Sequence, residues 1–313
     1  MTSRWTEADI PDLSERVILV TGANSGIGYE AARAFAEHGA HVVLACRNEA
    51  KATDAVARIR TTTPDASVEI LLVDLADLDS VAAAAASFLR SHDRLDVLVN
   101  NAGLMATGFE HTAQGFEMQF GVNHLAPFAL TGALLDRLLA TPQSRVVAIS
   151  STGHRPGRIH FDDLQWDRRY SKWQAYFQSK LANLLFTFEL QRRLAAIDAT
   201  TIAVAAHPGG SHTNLGHDSP GLIGSLNRVA QPVVKVLMQS AAMGALPTER
   251  ASTDPDVAGG QYYGPDGLGE QRGHPKLVGC TQRARDEATA ARLWSVSEEL
   301  TGVHYGALDH PGR

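Results

Sequence analysis

Tyr176 and Lys180 stand four residues apart in the run Tyr176-Phe177-Gln178-Ser179-Lys180. On a helix, this spacing places the two side chains on one face. A phenol normally loses its proton near pH ~10, which is too high for acid–base chemistry at neutral pH. A neighbouring ammonium favours the phenolate and lowers that pKa. The pair therefore predicts a tyrosine that exchanges a proton with a substrate.

A glycine pattern near the start of the chain predicts a second part of a redox site. The apolar run Val17–Val20 leads into Thr21-Gly22-Ala23-Asn24-Ser25-Gly26-Ile27-Gly28, and a helical pattern follows. Glycines between a strand and a helix allow a tight turn in which the backbone approaches a pyrophosphate. The predicted cofactor contacts in this turn are Gly22, Asn24, Ser25, Gly26, Ile27 and Gly28. Together with the Tyr176–Lys180 pair, the turn indicates a hydride-transfer enzyme.

Length and composition limit the class of protein. The 313 residues are 44% hydrophobic and 20% charged, which is ordinary for a globular protein with a sizeable core. A net charge of −6 argues against nucleic acid or an anionic membrane as the main partner. Two cysteines, Cys46 and Cys280, give no disulfide framework and no metal cluster. We expect a cytoplasmic protein without a membrane span or metal, acting on a small molecule; its oligomeric state stays open.

Short apolar runs alternate with helical patterns along the chain, and this alternation predicts the fold. The predicted strands are Arg16–Thr21, His41–Ala45, Val68–Val73, Asp96–Val99, Arg145–Ser150 and Thr200–Ala206. The predicted helices are Gly28–His38, Glu49–Thr61, Leu78–His92, Gly115–Ala140 and Trp173–Ala195. We expect an α/β protein: a Rossmann-type doubly wound parallel sheet flanked by helices, forming a single domain over residues 1–313.

Two segments interrupt this alternation, His154–Lys172 and Ser211–Pro247. Insertions at the carboxyl ends of the strands of such a sheet form substrate pockets. We expect residues 211–247 to form a mobile lid over the substrate, with a rigid arm for subunit contact as the alternative.

The end of the second strand predicts which cofactor is used. A site for NAD normally carries an acidic residue about 20 residues after the glycines, to hold the ribose hydroxyls. Here Cys46 holds that position and Arg47 follows, and a guanidinium suits a 2′-phosphate. NADP(H) is therefore favoured over NAD(H), unless Arg47 is only a solvated charge. Asp74, beside Leu75, could accept a hydrogen bond from the adenine amino group or could cap the next helix.

These motifs together resemble the short-chain dehydrogenase/reductase superfamily. The resemblance rests on TGANSGIG (21–28), Asn100-Asn101-Ala102-Gly103, YFQSK (176–180) and the PGxxxT pattern within 207–213. The segments ACRN (45–48), FGVNHLAPFALT (120–131), FDDLQWDRRYS (161–171) and SKLANLLF (179–186) are similar to its retinol-dehydrogenase-like and WW-domain-oxidoreductase-like branch. The N-terminal WW module and the hydrophobic anchor found among those relatives are not recognisable in this sequence.

The resemblance implies a role for each matching residue. Tyr176 is expected to act as general acid in reduction, Lys180 to lower its pKa and bind the nicotinamide ribose, and Ser151 to hold the substrate oxygen. Ser150 is the rival candidate for this role, but the sequence separation between Ser151 and Tyr176 matches the branch better. Asn123 is expected to position a water that completes a proton relay. Further cofactor contacts are implied at Asn101, Ala102, Gly103, Pro208, Gly209 and Thr213.

The sequence thus indicates an NADP(H)-dependent oxidoreductase that interconverts a carbonyl and an alcohol. A fairly apolar substrate is suggested by Phe109, Trp166, Tyr170, Trp173 and the 211–247 segment, although these residues could equally belong to the core or to an interface. One alternative keeps the fold and cofactor but reduces a carbon–carbon double bond, as protochlorophyllide-reductase-like relatives do. Another is a non-catalytic NADPH-binding sensor. A hydrolase is disfavoured because Ser151 has no GxSxG elbow.

Overall fold

A computed structural model describes residues 4–210 and 239–308, and one eight-stranded sheet organises them. The strands follow the order β3-β2-β1-β4-β5-β6-β7-β8. Neighbouring strands from β3 to β7 pair in parallel, while β8 runs antiparallel to β7. The strands are β1 Val17–Thr21, β2 His41–Cys46, β3 Val68–Leu72, β4 Val97–Asn100, β5 Arg145–Ile149, β6 Ile202–Ala206, β7 Tyr262–Pro265 and β8 Pro275–Leu277. The predicted doubly wound sheet is confirmed.

Helices cover both faces of this sheet. They are α1 Gly26–Glu37, α2 Glu49–Thr62, α3 Leu78–Ser91, α4 Met118–Phe120, α5 Ala126–Ala133, α6 Leu135–Ala140, α7 Lys172–Ala196, α8 Ala241–Thr253 and α9 Glu287–Thr301. Apolar side chains of α1, α2 and α8 share one core cluster, and those of α3, α5, α6 and the C-terminal half of α7 share another. Both faces of the sheet are therefore covered by apolar side chains of the helices, which agrees with strands that are apolar along nearly their whole length.

The direction in which successive strands are added to the sheet reverses between β1 and β4, and this reversal decides where a ligand can lie. From β1 the chain winds outward through β2 to β3, then returns to place β4 on the other side of β1. The loops after β1 and β4 leave the sheet in opposite directions, which opens a crevice at their carboxyl ends. Residues that follow β1, β4 and β5 should therefore meet there.

The prediction of one continuous helix over Gly115–Ala140 is wrong. The structure gives α4, then a π-helical turn Gly121–Leu125, then α5 and α6, with a break at Leu134. Pro127 lies in the first turn of α5 and has no N–H to donate to the carbonyl four residues earlier, which belongs to Asn123. The helical ladder is thus interrupted beside a candidate site residue, as often happens at π-helical turns.

The C-terminal boundary of the predicted lid is also wrong. Residues 241–247 belong to α8, which packs on α1 and buries Ala245, Leu246 and Pro247. Residues 211–238 lie outside the described residues, so the lid stays a prediction for that part alone. Two strands and two helices near the C-terminus, β7, β8, α8 and α9, were missing from the sequence-based prediction. Among the described helices, none is both long and apolar enough to cross a membrane.

Candidate active site

The glycine turn after β1 has the backbone that the sequence pattern requires. Gly22 and Gly26 have φ angles of 68° and 58°, in the left-handed region where glycine is favoured. A Cβ on Gly28 would lie 2.3 Å from Asn101 Nδ2 and 2.6 Å from the Gly22 carbonyl oxygen. Only glycine therefore allows α1 to approach the turn this closely, which leaves the helix N-terminus facing the crevice.

The N-terminus of α1 fits a dinucleotide phosphate. Its N-cap residue, Ser25, makes no capping hydrogen bond through its side chain, and the first turn contains no acidic residue. The first backbone N–H groups of a helix have no partner within it, and the helix dipole favours an anion at this end. Asn24 lies partly exposed in the same turn, while Ile27 is buried and anchors the helix. The turn can thus hold a pyrophosphate through backbone N–H groups.

Asn101 ties the glycine turn to β4. Its backbone N–H donates to Thr21 Oγ1 at 3.0 Å, and its side-chain amide donates to the Thr21 carbonyl at 2.8 Å. The backbone N–H of Ala102 shares the Thr21 hydroxyl at 3.0 Å. This arrangement joins the end of β4 to the end of β1, and it holds Ala102 and Gly103 beside the crevice.

The end of β2 presents one buried and one exposed side chain. Burial raises the pKa of the Cys46 thiol to about 11, although backbone N–H groups of Ala23 and Asn24 oppose that shift. Cys46 therefore faces the glycine turn as a neutral side chain. The Arg47 side chain is 74% exposed and its guanidinium lies 3.9 Å from the Asp74 carboxylate. An exposed guanidinium at this place is available to a phosphate group.

Asp74 does not cap the following helix. Its carboxylate accepts a hydrogen bond from the Ala76 N–H at 2.9 Å, whereas the N-cap of α3 is Asp77, which accepts from Asp79. Leu75 is buried against the core. Of the two sequence interpretations of Asp74, helix capping is wrong, and contact with the adenine stays a prediction.

Tyr176 and Ser151 come together at the carboxyl end of β5. Tyr176 lies in the first turns of α7 and is only 8% exposed, and its side chain lies close to that of Ser151, since a Cβ on Gly153 would contact both. Ser151 begins the 3₁₀ turn Thr152–His154, where its Oγ accepts from the Gly153 N–H at 3.1 Å. A Cβ on Gly153 would lie 3.0 Å from the tyrosine ring, so the turn and the ring are in contact.

The structure distinguishes Ser151 from its rival. The Ser150 hydroxyl is buried and donates to the backbone carbonyl of Lys180 at 2.7 Å, joining β5 to α7. Ser151 is partly exposed beside the tyrosine hydroxyl. Ser150 is therefore structural, and the sequence-based preference for Ser151 agrees with this geometry.

The pKa of Tyr176 moves opposite to the direction expected from its spacing to Lys180. Burial raises it above its usual value, and the hydrogen bond with Ser151 only partly opposes this. Lys180 Nζ lies 5.8 Å from the centre of the tyrosine ring and donates to the Ile149 carbonyl at 3.1 Å. Helical spacing thus brings the ammonium near the ring without directing it at the hydroxyl.

Asn123 and Lys180 meet at Gly103. A Cβ on Gly103 would lie 3.1 Å from Asn123 Oδ1 and 3.3 Å from Lys180 Nζ. The Asn123 side chain accepts from the Leu104 N–H at 2.7 Å and donates to the Leu104 carbonyl and to Ser179 Oγ, each at 2.9 Å. Burial lowers the pKa of the enclosed Lys180 to about 8. The π-helical turn thus positions an amide beside a lysine that loses its proton readily.

The loop after β6 brings part of its predicted motif to the same edge of the sheet. Gly209 has φ 67°, and a Cβ there would lie 2.5 Å from the Gln271 carbonyl oxygen. The Pro208 carbonyl accepts from Gln239 Nε2 at 2.7 Å. Thr213 lies outside the described residues, and its contact with a nicotinamide stays a prediction.

A buried polar network behind Ser151 was missed by sequence reasoning. His154 Nδ1 bonds to the Ser151 carbonyl at 2.7 Å, and the buried His207 contacts Glu270 through Nε2 at 3.1 Å. Arg155 forms an ion pair with the same glutamate at 2.8 Å. The hydrogen bond from His207 is the main cause that lowers the pKa of Glu270. Three separate stretches of chain meet here, at residues 151–155, 207 and 270, so sequence spacing gave no signal for the network.

One group of potential metal ligands was not recognised in the sequence, and the expectation that the protein holds no metal stays a prediction. His41, Glu69 and His92 bring one potential ligand atom each to within 4.8 Å of one another. This group lies at the amino ends of the strands, away from Tyr176.

Sequence and fold comparisons agree with the geometry of the crevice. The fold alone places the chain among Rossmann-type nucleotide-binding proteins. The sequence profile of the short chain dehydrogenase family matches residues 16–220. The chain belongs to this family and is an oxidoreductase, and members of the family bind NAD or NADP.

Curated relatives cover nearly the whole chain. Human retinol dehydrogenase 12 is 41% identical over 293 residues, which are 94% of this chain and 88% of the relative. Human retinol dehydrogenase 13 is 40% identical over 303 residues, covering 95% and 87% of the two chains.

Solved structures give the same result. An uncharacterized protein from Mycobacterium Paratuberculosis superposes with a TM-score of 0.80 at 42% identity, covering 97% of this chain and 99% of that chain. A Shigella flexneri 2a protein assigned as a short chain dehydrogenase, complexed with NADP, superposes with a TM-score of 0.61 at 27% identity, covering 80% and 97%. The family is therefore shown by sequence and by fold.

Proposed function

We propose that this protein is an NADP(H)-dependent oxidoreductase that interconverts a carbonyl and an alcohol on a small, fairly apolar substrate. The observation that carries the proposal is the placement of Tyr176 beside Ser151, with Lys180 and Asn123 nearby, at the crevice that the glycine turn borders. A protein that only senses a cofactor has no need of a hydroxyl pair and a buried lysine together. The roles given below are part of this proposal.

The chain's own residues can hold and move a proton in this crevice. The bound dinucleotide supplies or accepts the hydride. Because burial raises the pKa of Tyr176, its hydroxyl carries a proton at neutral pH and can donate it to a carbonyl oxygen. Ser151 places a second hydroxyl beside that oxygen and so orients it. Lys180 lies near the tyrosine ring, and Asn123 beside it is proposed to position a water that links the ammonium to solvent, from which the proton is replaced.

The preference for NADP(H) rests on Arg47, and its replacement tests that preference. We expect Arg47→Ala to lower kcat/KM for NADPH by about ten- to a hundredfold and to change the value for NADH little. A hydrogen bond to a charged group contributes roughly 1.5–3 kcal/mol, which corresponds to that range. Steady-state kinetics with both cofactors would measure it, with Arg90→Ala, an exposed arginine on α3, as the control. Equal losses with both cofactors would contradict a 2′-phosphate contact.

An apolar substrate is supported by exposed aromatic rings near Tyr176. Trp173 is 47% exposed and lies 6.2 Å, centre to centre, from Phe177, which lies 6.1 Å from Tyr176. Phe109, 46% exposed, packs against Tyr170 at 4.9 Å. Exposed aromatic surface bordering a polar site suits an apolar ligand. Since the curated relatives are retinol dehydrogenases, we propose long, apolar aldehydes and alcohols as the first substrates to test.

A kinetic screen would test the proposed reaction. NADPH oxidation is measured with retinaldehyde, shorter apolar aldehydes, ketones and enones that lack an aldehyde. We expect turnover with aldehydes or ketones. Turnover with enones alone would support reduction of a carbon–carbon double bond. NADPH binding without turnover of any of them would support a sensor.

The buried lysine predicts a pH dependence. Since burial lowers the pKa of Lys180 to about 8, the ammonium predominates below that pH and is lost above it. If the ammonium supplies the proton relay, kcat/KM for reduction should fall about tenfold per pH unit above about pH 8. Initial rates with NADPH between about pH 6 and pH 10 would measure this. A profile that stays flat to about pH 10 would contradict a role for the Lys180 proton.

A further inference from the structure

Three side chains converge at the end of the sheet opposite the crevice. His41 is the first residue of β2, Glu69 lies in β3, and His92 follows the last residue of α3. The two histidine Nε2 atoms are 3.3 Å apart. Glu69 lies 3.3 Å from His92 Nε2 through Oε1 and 3.7 Å from His41 Nε2 through Oε2. Because β2 continues to Cys46, this cluster is about 16 Å from the proposed cofactor site.

We propose that His41, Glu69 and His92 form a binding site for a divalent transition-metal cation, with Zn²⁺ as the favoured ion. Two imidazole nitrogens and a carboxylate oxygen are common zinc ligands, at about 2.0–2.2 Å from the metal. Ligands at that distance on a tetrahedral ion lie about 3.3–3.5 Å from each other. The Nε2–Nε2 separation and the His92 Nε2–Glu69 Oε1 separation, each 3.3 Å, match two edges of a zinc coordination sphere, and the second carboxylate oxygen lies 3.7 Å from His41 Nε2.

Hydrogen bonds behind the cluster orient the histidine lone pairs. His92 Nδ1 lies 3.3 Å from the Phe88 carbonyl oxygen, which can only accept, so that nitrogen carries the proton. A neutral His92 then presents the lone pair of Nε2 to the cluster. His41 Nδ1 is 2.7 Å from Ser67 Oγ, a hydroxyl that can donate or accept, so this contact orients the second ring and allows either tautomer. Such partners of the remote ring nitrogen are typical of metal-binding histidines.

When Ser67 donates to His41 Nδ1, the His41 Nε2–H can donate to His92 Nε2 across the 3.3 Å between them. When Ser67 accepts instead, both Nε2 lone pairs face the cluster, and a metal ion between them balances their repulsion. His92 is held by stacking on Phe88 at 4.4 Å between ring centres. Two oriented imidazoles beside one carboxylate favour the metal ion.

The cluster has an access route and room for an outside ligand. The side chains of His41 and Glu69 are 29% and 41% exposed, whereas that of His92 is 10% exposed. A metal held on the buried side by His92 can therefore keep a water in its fourth position. Because the three ligands come from three elements, an ion here would join β2 and β3 to the end of α3.

Zinc titration of untagged, chelator-treated protein tests the proposal. Calorimetry should give one Zn²⁺ per chain with a micromolar or tighter Kd. His92→Gln should weaken that binding by at least about 100-fold, and Glu69→Gln by at least about tenfold. His304→Gln, at a 72% exposed histidine distant in sequence, is the control and should bind zinc like the unaltered protein. Co²⁺ should give the intense visible absorption of a tetrahedral site, and His92→Gln should abolish it.

Thermal unfolding gives a readout that does not depend on activity. At zinc concentrations about a hundredfold above Kd, Tm should rise by about 4 °C in the unaltered protein and in His304→Gln, and by about half that or less in Glu69→Gln. Glu69 is the most exposed of the three ligands, so its amide variant should fold even if His92→Gln does not. Absence of zinc binding, or equal affinity in Glu69→Gln and His304→Gln, would overturn the metal site in favour of a hydrogen bond between the two histidines.

Discussion

Replacing Tyr176 with phenylalanine should reduce turnover by ~10²–10⁴-fold while NADPH still binds. The substitution removes the hydroxyl that the proposal makes the proton donor. It leaves the ring buried between α7 and the Gly153 turn. The glycine turn and Arg47, which are proposed to hold the phosphates, are not in contact with that hydroxyl. The substitution should therefore reduce the rate of turnover and leave the affinity for NADPH unchanged.

Single-turnover kinetics and NADPH fluorescence titration would measure the two effects. Tyr263→Phe is a matched control, because the hydroxyl of Tyr263, a residue of β7, donates to the Gln261 side chain at 2.6 Å and lies outside the crevice. That variant should retain full activity. Residual activity of Tyr176→Phe within a few-fold of the unaltered protein would mean that another group donates the proton.

Lys180→Met should lower kcat/KM by about 10²-fold or more and should also weaken NADPH binding. Methionine keeps much of the side-chain volume but removes the ammonium that contacts the Ile149 carbonyl and approaches Asn123. The resemblance to the family gives this ammonium two functions, in the proton relay and at the nicotinamide ribose. Loss of affinity as well as rate distinguishes this variant from Tyr176→Phe. The fall in rate above about pH 8 should disappear as well.

Lys172→Met is the matched control for that substitution, since Lys172 is an exposed lysine at the start of the same helix. It should bind NADPH and turn over like the unaltered protein. If Lys180→Met kept its NADPH affinity and lost only a few-fold in rate, the lysine would serve packing alone.

Local motifs predicted much of the fold and the site. The helix predicted over Trp173–Ala195 is observed at Lys172–Ala196, and the strand predicted at His41–Ala45 extends by one residue. The helix and the strand both depend on residues close together in sequence, and the spacing of the apolar ones indicates which face of the element is buried. The glycine turn was equally predictable, because its left-handed angles select glycine directly.

Features that depend on distant residues were not predictable. The π-helical turn at Asn123 depends on how Pro127 interrupts a helix whose apolar pattern otherwise looks continuous. The direction of the pKa shift at Tyr176 depends on burial, which a four-residue spacing does not report. The cluster of His41, Glu69 and His92 arises from strand pairing, since Glu69 pairs with Val43, on the same face as His41. Strand β7 is short and contains Gly264 and Pro265, so it lacks a strand-like pattern.

The position of a transferred deuterium tests the central claim most directly. NADPH carrying deuterium on the nicotinamide C4, prepared separately in each stereochemical form, is incubated with the protein and an apolar α,β-unsaturated aldehyde such as retinaldehyde. The proposal predicts, for one of the two forms, an alcohol with deuterium on the carbinol carbon, identified by mass spectrometry and NMR. Deuterium on a carbon of a reduced double bond, or no deuterated product from either form, would contradict it.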